Sequence, residues 1–331
     1  MTHYYLEQEI SCLAMNPKDS RQLIIGQLDG VFSMYEMKLK NLTPLGSFKL
    51  DGDSYVRDVA YMGDGKKFTL TTSDNSLALM DTVTMEPYHW VKNAMDSKPS
   101  ALLTLGGDKG IQTVVGDDDG NIKMFDFRTQ EGAILEFKEQ EETITDLKFN
   151  QGSILATSSD GFLCVFDLRK KKFTVKSEQA ESEYNCICIT NDKTYIATGN
   201  GVIDVYKNGD YGYMLERIDT KMKYGVESIV EVRDNLLMCA SMLQDYVKFV
   251  NVQPNKVLKK KTVPFPIGKI ILSSSRKFFV GYGMCENFYH SSIAEMINDI
   301  PLITRDNVKD VKKLVKEDNS NGFFNDLIKD T

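Results

Sequence analysis

An internal repeat constrains this fold more than any other feature of the sequence. The clearest unit, ILATSSDGFLCVFDLRKKK (residues 154–172), has a short apolar stretch, a turn at Asp160-Gly161, a second stretch ending in Phe166-Asp167 and a basic segment. The same pattern occurs in TVVGDDDGNIKMFDFR (113–128), LIIGQLDGVFSMYE (23–36), TLTTSDNSLALMD (69–81) and IATGNGVIDVYK (196–207). LMCASMLQDYVKFVN (237–251) and FFVGYGMCENFYHSS (278–292) are weaker copies. Such repetition predicts an array of similar units stacked against one another.

The spacing of the units predicts a propeller. The first turn residues are 45, 45, 41, 40, 44 and 41 residues apart, at Asp29, Asp74, Asp119, Asp160, Asn200, Gln244 and Cys285. A further strand-like stretch precedes each turn, for example VRDVAYM (56–62) and ITDLKFN (144–150). Seven units with this period match the blade of a WD-repeat β-propeller. We therefore predict an all-β, seven-bladed propeller over residues 1–300 and a short C-terminal tail over residues 301–331.

Two features of the pattern predict how the ring holds together. In six units an apolar or aromatic residue follows the turn residue by six positions, at Tyr35, Met80, Phe125, Phe166, Tyr206 and Val250. We expect these side chains to fill the space between neighbouring blades, because no blade can bury both faces alone. Residues 4–9 precede the first inner strand and are expected to supply the outer strand of the last blade, which would close the ring.

The chain departs from strong WD repeats in its polar residues. Trp90 is the only tryptophan, it lies outside the six-later positions, and three histidines are too few for a hydrogen-bond relay in every blade. Gln140 stands roughly where the fourth unit would have its histidine. We therefore expect the blades to depend more on packing than on buried polar networks. The last unit, with Cys285 in its turn, is expected to be irregular.

Composition favours a soluble intracellular protein. The net charge of −7 argues against extensive wrapping by nucleic acid, although a local basic patch is compatible with it. The N-terminus lacks a signal-peptide pattern, no apolar run is long enough to span a bilayer, and we expect no membrane association. The six cysteines lack metal-ligand spacing, so reduced thiols are expected.

The sequence offers little to catalysis. It contains no phosphate-binding GxxxxGK[ST] loop, HExxH helix or GxSxG elbow, and three histidines provide few acid–base groups. Asp117-Asp118-Asp119 has no further carboxylate at the spacing of a calcium loop. We predict a non-enzymatic protein without metal or cofactor.

Two kinds of basic motif are candidate binding sites. The first comprises two clusters, each directly after the third strand of a unit: Arg169, Lys170, Lys171 and Lys172, and Lys259, Lys260 and Lys261. Equivalent turns project from one face of a propeller, so the clusters could form a shared basic rim for RNA or an acidic protein, or be two solvated turns. The second is Asp-x-Arg, ending in Arg128 and Arg169. It resembles the motif by which propellers dock onto the adaptor of cullin-RING ligases, and local Asp–Arg pairing is the alternative.

The tail is the third candidate. Phe323, Phe324, Leu327 and Ile328 have helical spacing after a polar linker. This segment could fold back on the propeller or dock to a partner as a short helix.

The order of particular segments resembles that of a nucleolar WD-repeat family. The resemblance is carried by GDDDGNIKMFDFR (116–128), EETITDL (141–147), SSDGFLCVFDLRKKKFTVKSE (158–178), VNVQPNKV (250–257) and the tail segment FFNDL (323–327). It implies a nuclear or nucleolar protein of ribosomal RNA processing and large-subunit assembly. This tail is short and lacks the long basic extension that would serve nucleolar retention.

The sequence pattern predicts a non-catalytic, monomeric scaffold, and the family resemblance implies that it works in ribosome biogenesis. Its partners would be assembly factors or ribosomal proteins, with precursor ribosomal RNA touching the basic turns. A substrate receptor of a cullin-RING ligase, using Arg128 and Arg169, is the second interpretation, and a generic cytoplasmic WD-repeat adaptor is the third.

Overall fold

The computed structural model describes residues 2–38, 41–106, 111–129, 132–283 and 285–301. These residues form 28 β-strands and one short α-helix. The strands are arranged in seven four-stranded antiparallel sheets. The predicted all-β, seven-bladed propeller is therefore confirmed. Among the described residues, no helix has the length and apolar character that a bilayer-spanning segment requires.

Each of the first six blades is a continuous segment of four strands, which follow one another from the inner to the outer strand. Blades 1 to 3 consist of β2 (Ile10–Met15), β3 (Gln22–Gln27), β4 (Val31–Met37) and β5 (Leu42–Lys49); β6 (Val56–Tyr61), β7 (Lys67–Thr72), β8 (Leu77–Asp81) and β9 (Pro87–Val91); and β10 (Pro99–Leu105), β11 (Gln112–Asp117), β12 (Asn121–Asp126) and β13 (Leu135–Lys138).

Blades 4 to 6 consist of β14 (Ile144–Asn150), β15 (Ser153–Ser158), β16 (Leu163–Asp167) and β17 (Lys172–Lys176); β18 (Tyr184–Ile189), β19 (Lys193–Thr198), β20 (Val202–Lys207) and β21 (Glu216–Asp219); and β22 (Ser228–Arg233), β23 (Leu236–Ala240), β24 (Tyr246–Val252) and β25 (Asn255–Thr262). Blade 7 contains β26 (Lys269–Leu272), β27 (Phe278–Tyr282) and β28 (Asn287–Ser292), with β1 (Thr2–Tyr5) as its outer strand. The helix α1 (Ile293–Ile297) follows β28.

The inner strands form the ring. Each contacts the inner strand of the next blade, from β2 through β6, β10, β14, β18 and β22 to β26, which contacts β2 again. Because antiparallel strands alternate in direction, two sets of loops emerge on one face, here called the upper face. They are the turns between second and third strands, and the connections from each outer strand to the next inner strand. The other loops form the lower face.

Glycines at equivalent upper-face turns explain part of the repeat. Gly30, Gly120 and Gly201 have φ angles of 82°, 82° and 85°, a conformation that L side chains rarely adopt. A Cβ atom at these positions would also lie only 2.4, 2.3 and 2.1 Å from carbonyl oxygens of Ser54, Gln140 and Met222. In each case that carbonyl belongs to the connection leading to the next blade. The Asp-Gly and Asn-Gly turns of the repeat therefore let neighbouring upper loops pack closely.

The apolar residues of the repeat fill the space between blades, as expected. Phe166 of blade 4 is fully buried in a cluster with Ala101 and Met124 of blade 3, and Tyr206 of blade 5 packs with Leu155 and Leu163 of blade 4. Burying a side chain of this size contributes roughly 1.5–3 kcal/mol to folding. Interblade packing is thus a principal source of stability in this ring.

Blade 5 departs from the expectation that packing replaces buried polar networks. The hydroxyl of Tyr184 lies 2.9 Å from both the Asp204 carboxylate and the Tyr206 hydroxyl, and Arg217 Nε donates to Asp204 across 3.1 Å. Burial raises the pKa of Asp204. Gln140 is buried as well, and its amide nitrogen donates to the carbonyl oxygens of Ala156 and Phe162. The Gln140 amide and the phenols of Tyr184 and Tyr206 therefore make buried polar contacts in repeats that lack the histidine of strong WD repeats.

The N-terminal strand closes the ring, which confirms the predicted closure with one correction. The closing strand β1 comprises Thr2–Tyr5, whereas residues 4–9 were expected. It pairs with β28, and Tyr4 stacks on Phe288 with ring centroids 4.9 Å apart. The Tyr4 hydroxyl donates to the carbonyl oxygen of Lys38 in blade 1 across 3.0 Å. A single side chain thus contacts both the last blade and the first.

Replacing Tyr4 with alanine is expected to destabilise the closed ring by about 3 kcal/mol, because a buried aromatic ring leaves a cavity when truncated. The measurement is chemical denaturation followed by circular dichroism. Tyr5→Ala is the matched control, since Tyr5 is the next residue of the same strand and is 75% exposed whereas Tyr4 is 5% exposed. Equal stability of the two variants would contradict the closure role of Tyr4.

Candidate binding surfaces and the central channel

The inner strands surround a central channel of about 780 Å³. In five blades the inner strand contains a β-bulge near its upper end, so one extra residue turns toward the channel or the neighbouring blade. These extra residues are Ser11, Arg57, Ser100, Thr145 and Asn185. The bulges therefore place polar side chains at one level around the ring.

Several of these side chains hydrogen-bond to the next blade. Arg57 Nε donates to the carbonyl oxygen of Pro99 across 2.8 Å, Ser100 Oγ to that of Ile144 across 2.7 Å, and Asn185 Nδ2 to that of Val226 across 3.0 Å. At two other places the backbone of the next blade is the donor. The N–H of Ile187 donates to Asp146 Oδ2, and the N–H of Ile270 donates to Ser228 Oγ. These contacts form a belt of side chain–backbone hydrogen bonds between neighbouring inner strands. The inner strands belong to different sheets and do not pair with each other through their backbones.

Two ion pairs lie in the channel. Asp58 lies 3.5 Å from Lys269 Nζ, and Asp146 lies 2.9 Å from Lys148 Nζ. The Asp58 carboxylate raises the pKa of Lys269, and burial raises the pKa of the Cys186 thiol to about 11. A thiol that is protonated at neutral pH is a poor nucleophile. These channel groups are suited to holding blades together.

The spacing of the repeats did not predict a polar channel along the inner strands. The signal was present, because VRDVAYM and ITDLKFN each carry an aspartate, Asp58 and Asp146, at the same position of an otherwise apolar stretch. Both aspartates directly follow the bulge in their strands. No group of three or more metal-ligating side chains comes together within the described part of the chain.

The two Asp-x-Arg motifs differ in structure. Arg128 makes a two-point ion pair with Asp126, whose carboxylate also accepts a hydrogen bond from Gln112. Hydrogen bonds from Arg128 hold the pKa of Asp126 well below its usual range. In the second motif, Asp167 accepts the backbone N–H groups of Arg169 and Lys170, and the Arg169 side chain lies beside Gly152. Local side-chain pairing, the alternative interpretation, thus describes Arg128, whereas the aspartate of the second motif accepts backbone N–H groups. Both arginines are exposed residues.

The basic segment from Arg169 to Lys172 lies on the lower face. Arg169, Lys170 and Lys171 lie in the turn between β16 and β17, Lys172 is the first residue of β17, and all four side chains are exposed. Lys170 Nζ lies 3.7 Å from the Asp167 carboxylate, which is a loose ion pair. This turn therefore presents cationic groups to solvent, and its binding role remains a prediction.

The expected basic rim is wrong, because the second cluster is not in a turn. Lys259, Lys260 and Lys261 lie within the outer strand β25 of blade 6. Lys259 and Lys261, which share one face of this strand, contact the Asp299 carboxylate at 2.8 and 2.7 Å. Lys260 points the other way, with its ammonium 3.8 Å from the Tyr246 ring centroid. Both clusters were expected directly after a third strand, but β25 begins at Asn255, so the second cluster lies inside the fourth strand of blade 6.

The lysine pair attaches the segment after α1 to blade 6. Ile293 and Met296 of α1 pack with Phe249 and Val263 of that blade, and Arg233 donates to the Pro301 carbonyl oxygen across 3.1 Å. Hydrogen bonds from Lys259 and Lys261 lower the pKa of Asp299 to about 2. Phe323, Phe324, Leu327 and Ile328, the predicted docking residues of the tail, lie outside the described residues.

Asp299→Asn is expected to destabilise the protein by up to about 1 kcal/mol, since the ion pairs are partly exposed to solvent. Because the folded-state pKa of Asp299 is depressed, the stabilisation is present above pH 4 or so and is lost as the pH falls toward 2. NMR titration of the carboxyl carbon measures this pKa directly. Asp234→Asn is the control, an exposed lower-face aspartate. A normal pKa for Asp299 would contradict the pairing.

Comparison with known proteins gives a consistent set of relatives. No family model matches the chain. The chain is 26% identical to the WD repeat-containing protein 55 homolog of Drosophila willistoni over 97% of its length, 26% identical to that of Drosophila melanogaster over 96%, and 27% identical to that of Drosophila simulans over 95%. It spans about two thirds of the length of these relatives, 66–67% in each case. This chain is thus a seven-bladed propeller that is similar, along nearly its whole length, to proteins named WD repeat-containing protein 55 homolog.

Proposed function

We propose that this chain is a non-catalytic protein-interaction scaffold of ribosome biogenesis. It would work in the nucleus and nucleolus, hold assembly factors or ribosomal proteins, and contact precursor ribosomal RNA through the lower-face turn. The scaffold role rests on the propeller and on its similarity to WD-repeat proteins. The ribosomal setting rests on the family resemblance carried by residues 116–128 and 158–178. The observation that supports it most is the similarity to WD repeat-containing protein 55 homologs over 95–97% of the chain.

The geometry suits a scaffold. A rigid ring with paired charges in its channel leaves the two loop faces and the exposed strands for partners. On the lower face, the turn from Arg169 to Lys172 is the cationic surface best placed for phosphate groups, because its side chains are exposed. Lys259 and Lys261 are less suited, since Asp299 already neutralises them.

The test is affinity purification of a tagged full-length chain at moderate salt, together with imaging of the same protein. We expect nucleolar enrichment and co-purification of large-subunit precursor RNA with assembly factors. Exclusion from the nucleus with no precursor RNA would overturn the ribosomal setting. Recovery of a cullin-RING ligase adaptor instead, lost on replacing Arg128 and Arg169 with alanine, would support the alternative ligase role.

The lower-face turn is tested by Lys170→Ala with Lys172→Ala. Lys171 is left in place because its φ of 52° makes it the left-handed residue of the turn, so the turn itself stays unchanged. We expect precursor RNA recovery to fall severalfold and its salt dependence to weaken, because two phosphate contacts are removed. The control is Lys92→Ala with Lys98→Ala, which removes two exposed lysines from the upper face. Equal RNA recovery by the two double variants would contradict contact through this turn.

A further inference from the structure

The upper face carries a pocket between blades 4 and 5 of about 700 Å³. Its charged lining is almost entirely acidic, with Glu141, Glu142, Asp160, Glu181 and Glu183. Glu181 is paired with Arg217 at 2.6 Å. Among the described residues of the lining there is one cation, Lys176. Its ammonium lies 4.0 Å from the Phe162 ring centroid and donates to the Glu139 carbonyl oxygen. The pocket is therefore negatively charged and has an aromatic wall.

The acidic surface continues toward blade 6. The Glu183 carboxylate lies directly over Gly199, where a Cβ atom would be 1.8 Å from its oxygen. Gly225 packs against the Gly199 carbonyl in turn, and Glu227 follows two residues later. Glu141, Glu142, Glu183 and Glu227 have no cationic partner among the residues described. Burial and the neighbouring Glu183 raise the pKa of Glu227, so a cation placed between these carboxylates would be stabilised.

An apolar patch lies at the blade 6 end of this surface, beside the mouth of the channel. It consists of Tyr224, Met242 and Leu243, all exposed, with Leu243 68% exposed. The Lys223 ammonium lies at its edge, 4.9 Å from the Tyr224 ring centroid. The three residues are held together by Ser241, whose hydroxyl donates to the Tyr224 carbonyl oxygen, and Met242 packs against Gly268. An exposed apolar patch bordered by charge is typical of a protein interaction site.

The turn that carries this patch also contains an unfulfilled hydrogen-bond acceptor. Gln244 directly follows Leu243 and is only 6% exposed, yet its amide oxygen has no hydrogen-bond donor among the described residues. Buried amide oxygens are almost always paired in folded proteins.

We propose that this surface binds an extended, lysine- and arginine-rich segment of a partner protein, with an apolar side chain of that segment packed on Tyr224, Met242 and Leu243. The cations would lie along Glu227, Glu183 and the pocket between blades 4 and 5. Charge complementarity selects this occupant: nucleic acid and acidic proteins would be repelled by the same carboxylates. The inference rests on the proposed scaffold role but not on its ribosomal setting.

The test is fluorescence anisotropy with the full chain and three labelled peptides of equal length. The first is rich in lysine and arginine and contains one leucine, the second replaces that leucine with serine, and the third replaces the basic residues with glutamate. We expect the first to bind most tightly, the second about tenfold more weakly, and the third not at all. Binding of the first should weaken as NaCl rises from about 0.05 to about 0.5 M.

Two variants locate the site. Glu183→Gln with Glu227→Gln keeps side-chain volume and removes two charges, and should weaken the first peptide about tenfold and reduce its salt dependence. Leu243→Ser should remove the preference for the leucine-containing peptide. The matched control is Asp192→Asn with Asp234→Asn, which removes two exposed charges from the lower face and should bind like the wild type.

Equal binding of the first two peptides, or equal loss in the control and the Glu183/Glu227 variant, would overturn the proposed surface. Tighter binding of a single-stranded oligonucleotide that is lost on the same glutamate substitutions would also overturn it. A Glu183/Glu227 variant that loses the peptide but still purifies with precursor RNA would support the surface and separate it from RNA contact. Peptide binding by a chain that recovers no precursor RNA would leave the surface standing and reject the ribosomal setting.

Discussion

Closure of the ring is the constraint on which the rest of this structure depends. Each blade buries its faces only against its neighbours, so an open ring would expose the aromatic and aliphatic clusters of blades 1 and 7. The chain closes by pairing β1 with β28 and by inserting Tyr4 between Phe288 and the blade 1 connection at Lys38. The fourth strand of the last blade thus comes from the opposite end of the propeller sequence, which holds both ends in one cooperative unit.

The channel belt adds a second, inner level of connection. Neighbouring inner strands splay from each other around a central axis, so their backbones lack the ladder that joins strands of one sheet. The bulges resolve this by turning Arg57, Ser100 and Asn185 onto carbonyl groups of the next blade. The same geometry places Asp58 and Asp146 beside lysines, which leaves the channel electrically balanced. Polar residues that could be candidate catalytic groups in the sequence make structural contacts in the folded ring.

The two faces differ in charge, and this difference gives the ring two unlike surfaces. On the upper face, carboxylates line the pocket between blades 4 and 5 and extend toward an apolar patch. The lower face carries the exposed turn from Arg169 to Lys172. A scaffold built in this way can hold a basic segment and a polyanion at the same time without competition, because the ring separates them.

The sequence by itself determined the architecture of this protein, because the evidence for it is local and repeated: Asp-Gly turns at a period of 40–45 residues and an apolar residue six positions later. It also indicated that the ring is closed from the N-terminus, although the strand begins at Thr2. Only the tertiary structure decided which charges are free. The sequence could not show that Asp299 reaches Lys259 and Lys261 across about 40 residues. Nor could it show that Arg128 turns back onto Asp126, while Asp167 of the second motif accepts backbone N–H groups instead. Nor could it show that glutamates about 40 residues apart in the sequence lie on the same face. Residues of different repeats come close to one another only when the blades are arranged in a ring.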